Sequence, residues 1–299
     1  GIEGHLADLV RKDLVREKSR LPRRIYSFKH VMSQEAAYNS MLLSRRREVH
    51  LKTAQAIAAH TPERAGEIAR HFLEARQPAQ ALPHLVAAGD QAAKAYASTE
   101  AVGFYQKAID LRASVEDWDS MRRAYEGLGA VQNNANQIPE AMATFQAMLH
   151  LATERADCAM QVSSLNKLAG VVGLKTGQFS QAELYLARAD QLAQGISDQS
   201  GVAESSMIRC MMCTAMADFD GVIKHMGRLV EVCQQLGSQE FMTMGMEHIA
   251  STMLYMTRFE EAWEKAQTTL PIAQAIGDRL HESSLLTMSI PFYQIRQGN

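Results

Sequence analysis

The sequence predicts an all-α fold, a solenoid of antiparallel helix pairs, on three observations. Four tags recur: Gln137-Ile138-Pro139-Glu140-Ala141, Gln178-Phe179-Ser180-Gln181-Ala182, Asp218-Phe219-Asp220-Gly221-Val222 and Arg258-Phe259-Glu260-Glu261-Ala262. Their last residues lie 41, 40 and 40 positions apart, a period that marks stacked helical units. The composition suits helices, with 46% apolar residues, 17 Met and only 7 Pro in 299 residues, since unbranched side chains lose little freedom in a helix and Pro breaks one. After the second tag, Ala182, Leu186 and Ala189 recur at i, i+4 and i+7, one stripe of a helix. Units of this kind share a continuous core and enclose no single pocket, so the pattern bears on function as well as on fold.

The first sixty residues lack the beat. Leu6, Leu9 and Val10 give a short helix over 5–14. Leu14-Val15-Arg16-Glu17 and Ile25-Tyr26-Ser27-Phe28-Lys29 alternate as a two-stranded wing around a polar loop that contains Pro22. Ser33, with Glu35 and Ala36 behind it, suits a helix start, and one helical stretch runs from there to about His60. The organisation expected is a head over 1–32, junction helices over 33–63 and repeats over 64–299, the last incomplete.

In the array, Ile68, Ala69 and Phe72 precede Ala81, Leu85 and Ala88, two stripes for one helix pair. Only 20 residues separate Ala81 from Ala101, so the helix over 79–97 is expected to serve two neighbours. Leu128, Gly129, Ala141, Phe145 and Met148 fill the next unit. Ala169, Gly170 and Gly173 with Ala182 fill the third, whose contact face is small enough for close approach, with Phe179 in the turn capping the shared core. Ile249, Ala250, Ala262 and Ala266 fill a later unit, and Gly237 and Gly277, 40 apart, suit left-handed helix ends. Leu285, Leu286, Ile290 and Phe292 are left without a natural cover at the end of the array.

These pairs resemble the tetratricopeptide repeat (TPR), whose small–small–aromatic first helix and Ala–bulky–Ala second helix match Ile68-Ala69-Phe72 and Ala81-Leu85-Ala88. The resemblance covers roughly 64–292 and implies a right-handed superhelix with a concave face lined by first helices. The period of 40 departs from the 34 of that family, implying longer helices. On such a face Met207, Met211, Met244, Glu247, Leu254 and Tyr255 would lie in the groove, and flexible thioethers suit an adaptable apolar surface for a partner helix or peptide. Core filling is the competing reading for the methionines. Lys167 stands where some family members hold a peptide carboxylate, but Val171 stands where a polar partner is needed, so that clamp does not carry over.

The run from Tyr26-Ser27-Phe28-Lys29-His30 through Gln34-Glu35-Ala36-Ala37-Tyr38 to Arg45-Arg46-Arg47-Glu48-Val49-His50 is similar to the junction at which a STAND-type signalling ATPase passes from its winged-helix module into a repeat array, particularly in ATPase regions attached to bacterial adenylate and guanylate cyclases. The resemblance implies a partial winged-helix remnant before residue 33. It marks Tyr26, Phe28, His30, Gln34, Tyr38, Arg46 and His50 as junction residues. The chain lacks an initiator Met and stops just after a helix-like segment, and a fragment of a longer protein is expected. No Gly-x-x-x-x-Gly-Lys-Ser/Thr phosphate loop and no cyclase motif occurs. No enzyme and no cofactor is therefore expected of this stretch.

Other chemistry reads as structure. Cys210, Cys213 and Cys233, with His225 and His248, suggest a zinc set, but Cys210 and Cys213 share the register of Gly170 and Gly173, and Cys233 that of Ala193 and Ala273, so they are expected in the core. His71, His84 and His150 sit at scattered phases and read as surface or cap residues. Glu116-Asp117 and Glu260-Glu261 read as helix-start charges, and Asn133, Asn134 and Asn136 as turn formers. Four cysteines in a chain of this size build no disulfide framework and point to the reducing cytosol. No apolar run approaches a membrane span. Residues 1–60 carry 12 Lys+Arg against 6 Asp+Glu, and the rest 19 against 27; the basic head reads as a solvated or intramolecular face and not as a nucleic-acid site. The expected role is a regulatory region that binds a protein or peptide, including other parts of the same polypeptide. The sensor array of an ATPase-type transcriptional activator and a small-molecule sensor inside the superhelix stay open.

Overall fold

The computed structural model describes residues 2–19 and 24–298; Pro22 and the side chain of Phe292 lie outside the described residues. Helix α1 (Ile2–Arg11) leads into an antiparallel ribbon of β1 (Val15–Ser19) and β2 (Ile25–Phe28), with Val15 opposite Phe28 and Glu17 opposite Tyr26. Here the head is built of short elements, and among its described apolar residues only Val15 is buried.

Helix α2 (Val31–Ser40) begins two residues before Ser33, with extended His30 as its flanking residue. It does not continue to His60. Met41 and Leu42 are both extended (ψ 139° and 146°), and a separate α3 (Leu43–His60) follows. The reason is local: α2 has no buried residue to hold it in line with α3, and the side chain of Arg46 bonds the Asn39 and Met41 carbonyls freed by the break.

The array comprises α4 (Ala65–Glu74), α5 (Pro78–Lys94), α6 (Ser98–Asp110), α7 (Trp118–Asn134), α8 (Ile138–Glu154), α9 (Cys158–Thr176), α10 (Phe179–Ile196), α11 (Gln199–Ala215), α12 (Phe219–Gln235), α13 (Gln239–Tyr255) and α14 (Phe259–Ile276). It ends in α15 (Arg279–Ser284), a π-helical turn (Leu285–Ser289) and α16 (Ile290–Gln297). Consecutive helices pack as pairs, and α5 packs against both α4 and α6. This is a solenoid of TPR-like antiparallel helix pairs.

One turn is used again and again. From α4 to α15, every link except 111–117 places a residue in the left-handed region: Arg76, Tyr96, Asn136, Ala156, Gly177, Ser197, Ala217, Gly237, Thr257 and Gly277. The N–H of the next residue then reaches back to a carbonyl five residues earlier (six for Gln178), as in Asp218 to Cys213 and Asp278 to Ala273. This closes the orphan carbonyls of the ending helix. Asp157, Asp198, Asp218 and Asp278 then accept a backbone N–H of the next helix, at Met160, Gly201, Gly221 and His281. Asp117 caps α7 in the same way.

The beat extends one unit further back than the four tags. Ala101, Ala141, Ala182, Val222 and Ala262 are all buried, as are Tyr105, Phe145, Leu186, Met226 and Ala266 four residues on. Large rings need glycine opposite them. A Cβ on Gly129 would fall inside the Phe145 ring contact, and one on Gly127 inside that of Tyr105. Gly173 faces Met212 Sδ and the Ala182 methyl, where a Cβ would come within 2.7 and 3.1 Å. Gly170 plays no such part, its only near neighbour being Ile208 at 3.9 Å. Phe179 does pack on the core of its unit, beside Ala169, Val172, Ala182 and Leu186. Each buried Leu, Phe or Met contributes roughly 1.5–3 kcal/mol. At the far end, Leu285 is fully buried against Ala266 and Ala273, and Ile290 packs beside it. The expected bare surface is thus reduced to Leu286 among the described side chains of that set.

Candidate partner-binding face and junction

The first helices of successive units, α7, α9, α11 and α13, place Glu126, Lys167, Met207 and Glu247 at one repeat position, 41, 40 and 40 apart. Three of the four make a tie to a residue 37 positions on. Ser163 donates to Glu126, Lys167 pairs with Glu204, and Ser284 donates to Glu247 at 2.6 Å. The face is therefore a ladder of polar rungs. Lys167 is a rung of that ladder and is neutralised by Glu204. Glu247 also accepts from Ser251 at 2.7 Å.

The third step differs in kind. Position 207 is Met and its counterpart 37 residues on is Met244, both half-buried against the cluster of Cys210, Val222, Met226 and Ile249. Met211, one turn along α11, is 49% exposed. Leu254 packs half-buried on the same cluster, whereas Tyr255 is exposed and stacks on Phe219 of α12 at 6.4 Å. Of the residues expected in the groove, then, Met207, Met244 and Leu254 share one apolar neighbourhood, Met211 is exposed one turn from Met207 on α11, Lys167 and Glu247 are ladder rungs, and Tyr255 belongs to a helix end.

The cysteines are core. Cys210, Cys213 and Cys233 are buried in that same cluster. Burial pushes the Cys210 thiol up to about 11, and burial followed by the nearby Asp218 raises Cys213, which suppresses thiolate chemistry. Among the described residues no three His, Cys, Asp or Glu side chains are placed to hold a metal ion. Asn136 is a left-handed turn residue, while Asn133 lies within α7 with a buried, unbonded Oδ1.

Sequence reasoning passed over Arg209. It stands in register with Ala169 and Ile249, on a core face, and its side chain is only 8% exposed. Its guanidinium makes a fork to Glu183 (2.9–3.1 Å) and bonds Asp190 at 2.7 Å, and Asp190 also accepts from Ser205. Burial would lower its proton affinity, but Glu183 and Asp190 outweigh burial and raise it. A single charge standing where the neighbouring units carry Ala and Ile was the available signal. Asp90 makes a similar node earlier, accepting from Tyr105 and Arg123 at 2.7 Å each.

The junction residues divide. Tyr38, His50 and Arg46 come together: Tyr38 Oη lies 3.1 Å from His50 Nε2, and the Arg46 guanidinium sits 4.6 Å from the Tyr38 ring centre. His50 Nδ1 in turn lies 2.7 Å from Nδ1 of His71 on α4. Both histidines are nearly buried, which corrects the reading of His71 as a surface residue. His84 is also withdrawn from solvent, stacked on Phe72 at 5.6 Å; His150 is exposed, as expected. Tyr26 and Phe28 lie in β2, His30 flanks α2 and Gln34 is exposed on it; they do not join the cluster.

No family model matches the chain. Over 102 residues it is 30% identical to an uncharacterized protein of Rhizobium meliloti (strain 1021), a match covering 33% of this chain and 10% of that protein. The chain thus spans about a tenth of that relative's length. Among solved structures, it is similar to a signal transduction ATPase with numerous domains (STAND) carrying a tetratricopeptide repeat sensor, from Pyrococcus horikoshii. The TM-score is 0.58 at 16% identity, over 98% of this chain and 43% of that one. It is also similar to BtubC from P. vanneervenii (TM-score 0.55, 16% identity, 80% of this chain and 93% of that chain). A third is aspartyl phosphate phosphatase F of Bacillus subtilis (TM-score 0.51, 9% identity, 90% and 75%). At these identities the likeness is one of fold. No helix among the described residues is long and apolar enough to cross a membrane.

Proposed function

We propose that this chain is the protein- or peptide-binding regulatory region of a multidomain signalling ATPase, linked to an adenylate or guanylate cyclase. In this reading the head over 1–32 is the remnant of a winged helix. A ligand on the first-helix face alters stacking, and α2 and α3 relay the change. The observation that carries the binding role is the interruption of a polar ladder by one apolar step, Met207 and Met244, with half-exposed Met211 one turn from Met207 along α11. A flexible apolar step flanked by charged rungs suits a short segment with one apolar anchor and polar flanks. Support for the ATPase setting is the junction string, together with the fold likeness to a STAND protein over nearly the whole chain.

The test is selection of binders from a displayed random peptide library on this chain, followed by calorimetry with Met211→Glu. The reading expects peptides with an apolar anchor whose affinity falls at least about tenfold in the variant, as expected when a buried apolar contact meets a charge. Peptides that bind the variant equally well would place recognition elsewhere.

A further inference from the structure

A groove of about 670 Å³ opens between the second helices α6 and α8, with α7 as its floor. None of the ladder residues lines it, so it stands apart from the first-helix face. Its room comes from small side chains. Ala143 and Ala147 stand where α10 carries Leu184 and Arg188 and where α12 carries Lys224 and Arg228. The floor and near wall are apolar, with Leu128 and Ile109. Two repeats on, the equivalents of Leu128 and Ile109 are Arg209 and Asp190, which bond each other at 2.7 Å. In that later groove the chain supplies both the cation and its carboxylates. In the α6–α8 groove it does not.

Two donors of this groove are unspent. Tyr125 is only 6% exposed, yet its hydroxyl has no hydrogen-bond partner among the described residues. That oxygen is not sealed from solvent, so it opens on the groove its ring lines. Arg112, at the groove's end in the 111–117 link, is exposed and makes no ion pair or side-chain hydrogen bond among the described residues. Burial pushes the Tyr125 hydroxyl up, Arg112 opposes the rise and Asp110 adds to it. The phenol therefore keeps its proton and donates. The nearby carboxylates are engaged elsewhere: Asp110 accepts from Gln106 at 3.0 Å, and Glu154 stands 3.4 Å from His150. An unpaired guanidinium near an unpartnered phenol is matched by one kind of group, a carboxylate that accepts from both.

We propose that the groove binds a small apolar carboxylic acid, its hydrocarbon body on Ile109, Leu128, Ala143, Ala147 and Leu151 and its carboxylate on Tyr125 and Arg112. The volume lies in the range of small-ligand sites, which are mostly apolar with a few placed polar groups. A peptide would ask for partners along its backbone. Gln106 is tied to Asp110 and Thr144 donates to Gln132 at 2.7 Å, which leaves Gln146 alone for that task. A bound acid would tie α6 to α8 across α7. The site stands whether or not the first-helix face binds a peptide.

Methyl NMR of the whole chain, titrated with naphthylacetate and with naphthylethanol as its neutral analogue, tests it. The expected result is that the methyl signals of Ile109, Leu128 and Ala147 move and saturate with the acid, and that the alcohol binds at least about tenfold more weakly, as when a charge-assisted hydrogen bond is lost. Tyr125→Phe, which keeps the ring, and Arg112→Gln, at an exposed position, should each weaken the acid by a similar factor with the melting temperature unchanged. Ala147→Leu should fill the groove and abolish binding of both probes. Failure of both naphthylacetate and octanoate to saturate by about 10 mM overturns the proposal. So does equal affinity for acid and alcohol, or acid binding untouched by Tyr125→Phe. Tighter binding of the peptide acetyl-Ala-Phe-Leu, with its free carboxylate, than of either acid would give the groove to a protein terminus and overturn it as well.

Discussion

Residues 2–42 and residues 98–276 are held together by opposite means. In the array each second helix buries the same positions, Ala101, Ala141, Ala182, Val222 and Ala262, and each turn but 111–117 closes with a left-handed residue and the same kind of backward hydrogen bond. In the head Leu9, Val10, Ile25, Phe28, Val31 and Met32 are exposed, and α2 rests on Tyr38, Arg46 and His50. Apolar periodicity gives the array a register that survives large changes of side chain, from Tyr105 to Ala266 at one position. A few polar bonds give the junction a docked position that a single substitution can undo.

The sharpest challenge to the array side is Arg209→Ala. It leaves Asp190 buried with only Ser205 and, at 3.8 Å, Arg228. Breaking one side of a buried ion pair costs about 3 kcal/mol, read as a lower urea midpoint. A loss below about 0.5 kcal/mol would mean that the core face tolerates the position as its neighbours do. Next comes Ala182→Leu, at a fully buried methyl beside Gly173, which overpacks by about 1–3 kcal/mol. Exposed Gln191→Lys is its control, and equal melting temperatures for Ala182→Leu and the parent would contradict the register.

On the junction side, Arg46→Ala removes the bonds to Asn39 and Met41, about 1 kcal/mol of local docking. Protease cleavage between 31 and 42 should quicken while the melting temperature of the array barely moves; unchanged cleavage would show that α2 is held by something else. The smallest effect is a gain. Thr257, β-branched, sits at φ 59°, so Thr257→Gly relieves a strained turn and should stabilise by about 0.5–1 kcal/mol, read as a raised melting temperature.

The same contrast decides what the sequence disclosed. The beat, the small-residue stripes and the assignment of Cys210 and Cys213 to the core were legible because apolar burial repeats with the helix period. Gly237 and Gly277 announced their turns, but Tyr96, Ala156, Ala217 and Thr257 in equivalent turns did not, because the geometry is imposed by the flanking helices and not by the residue. The break at Met41, the pairing of His50 with His71 and the Arg209 network were hidden for a common reason. Each depends on polar partners 5 to 26 positions apart that no period predicts. On the binding face, Lys167 and Glu247 were picked out as residues, but their service as rungs depends on Glu204 and Ser284, which only the stacking brings near.

Native-state hydrogen exchange on the whole chain at neutral pH tests the contrast most directly. The account predicts that amides of 31–42 open at least about 100-fold more often than those of α9 and α10, as a polar-docked helix should beside a buried one. Equal protection in the two regions would contradict it.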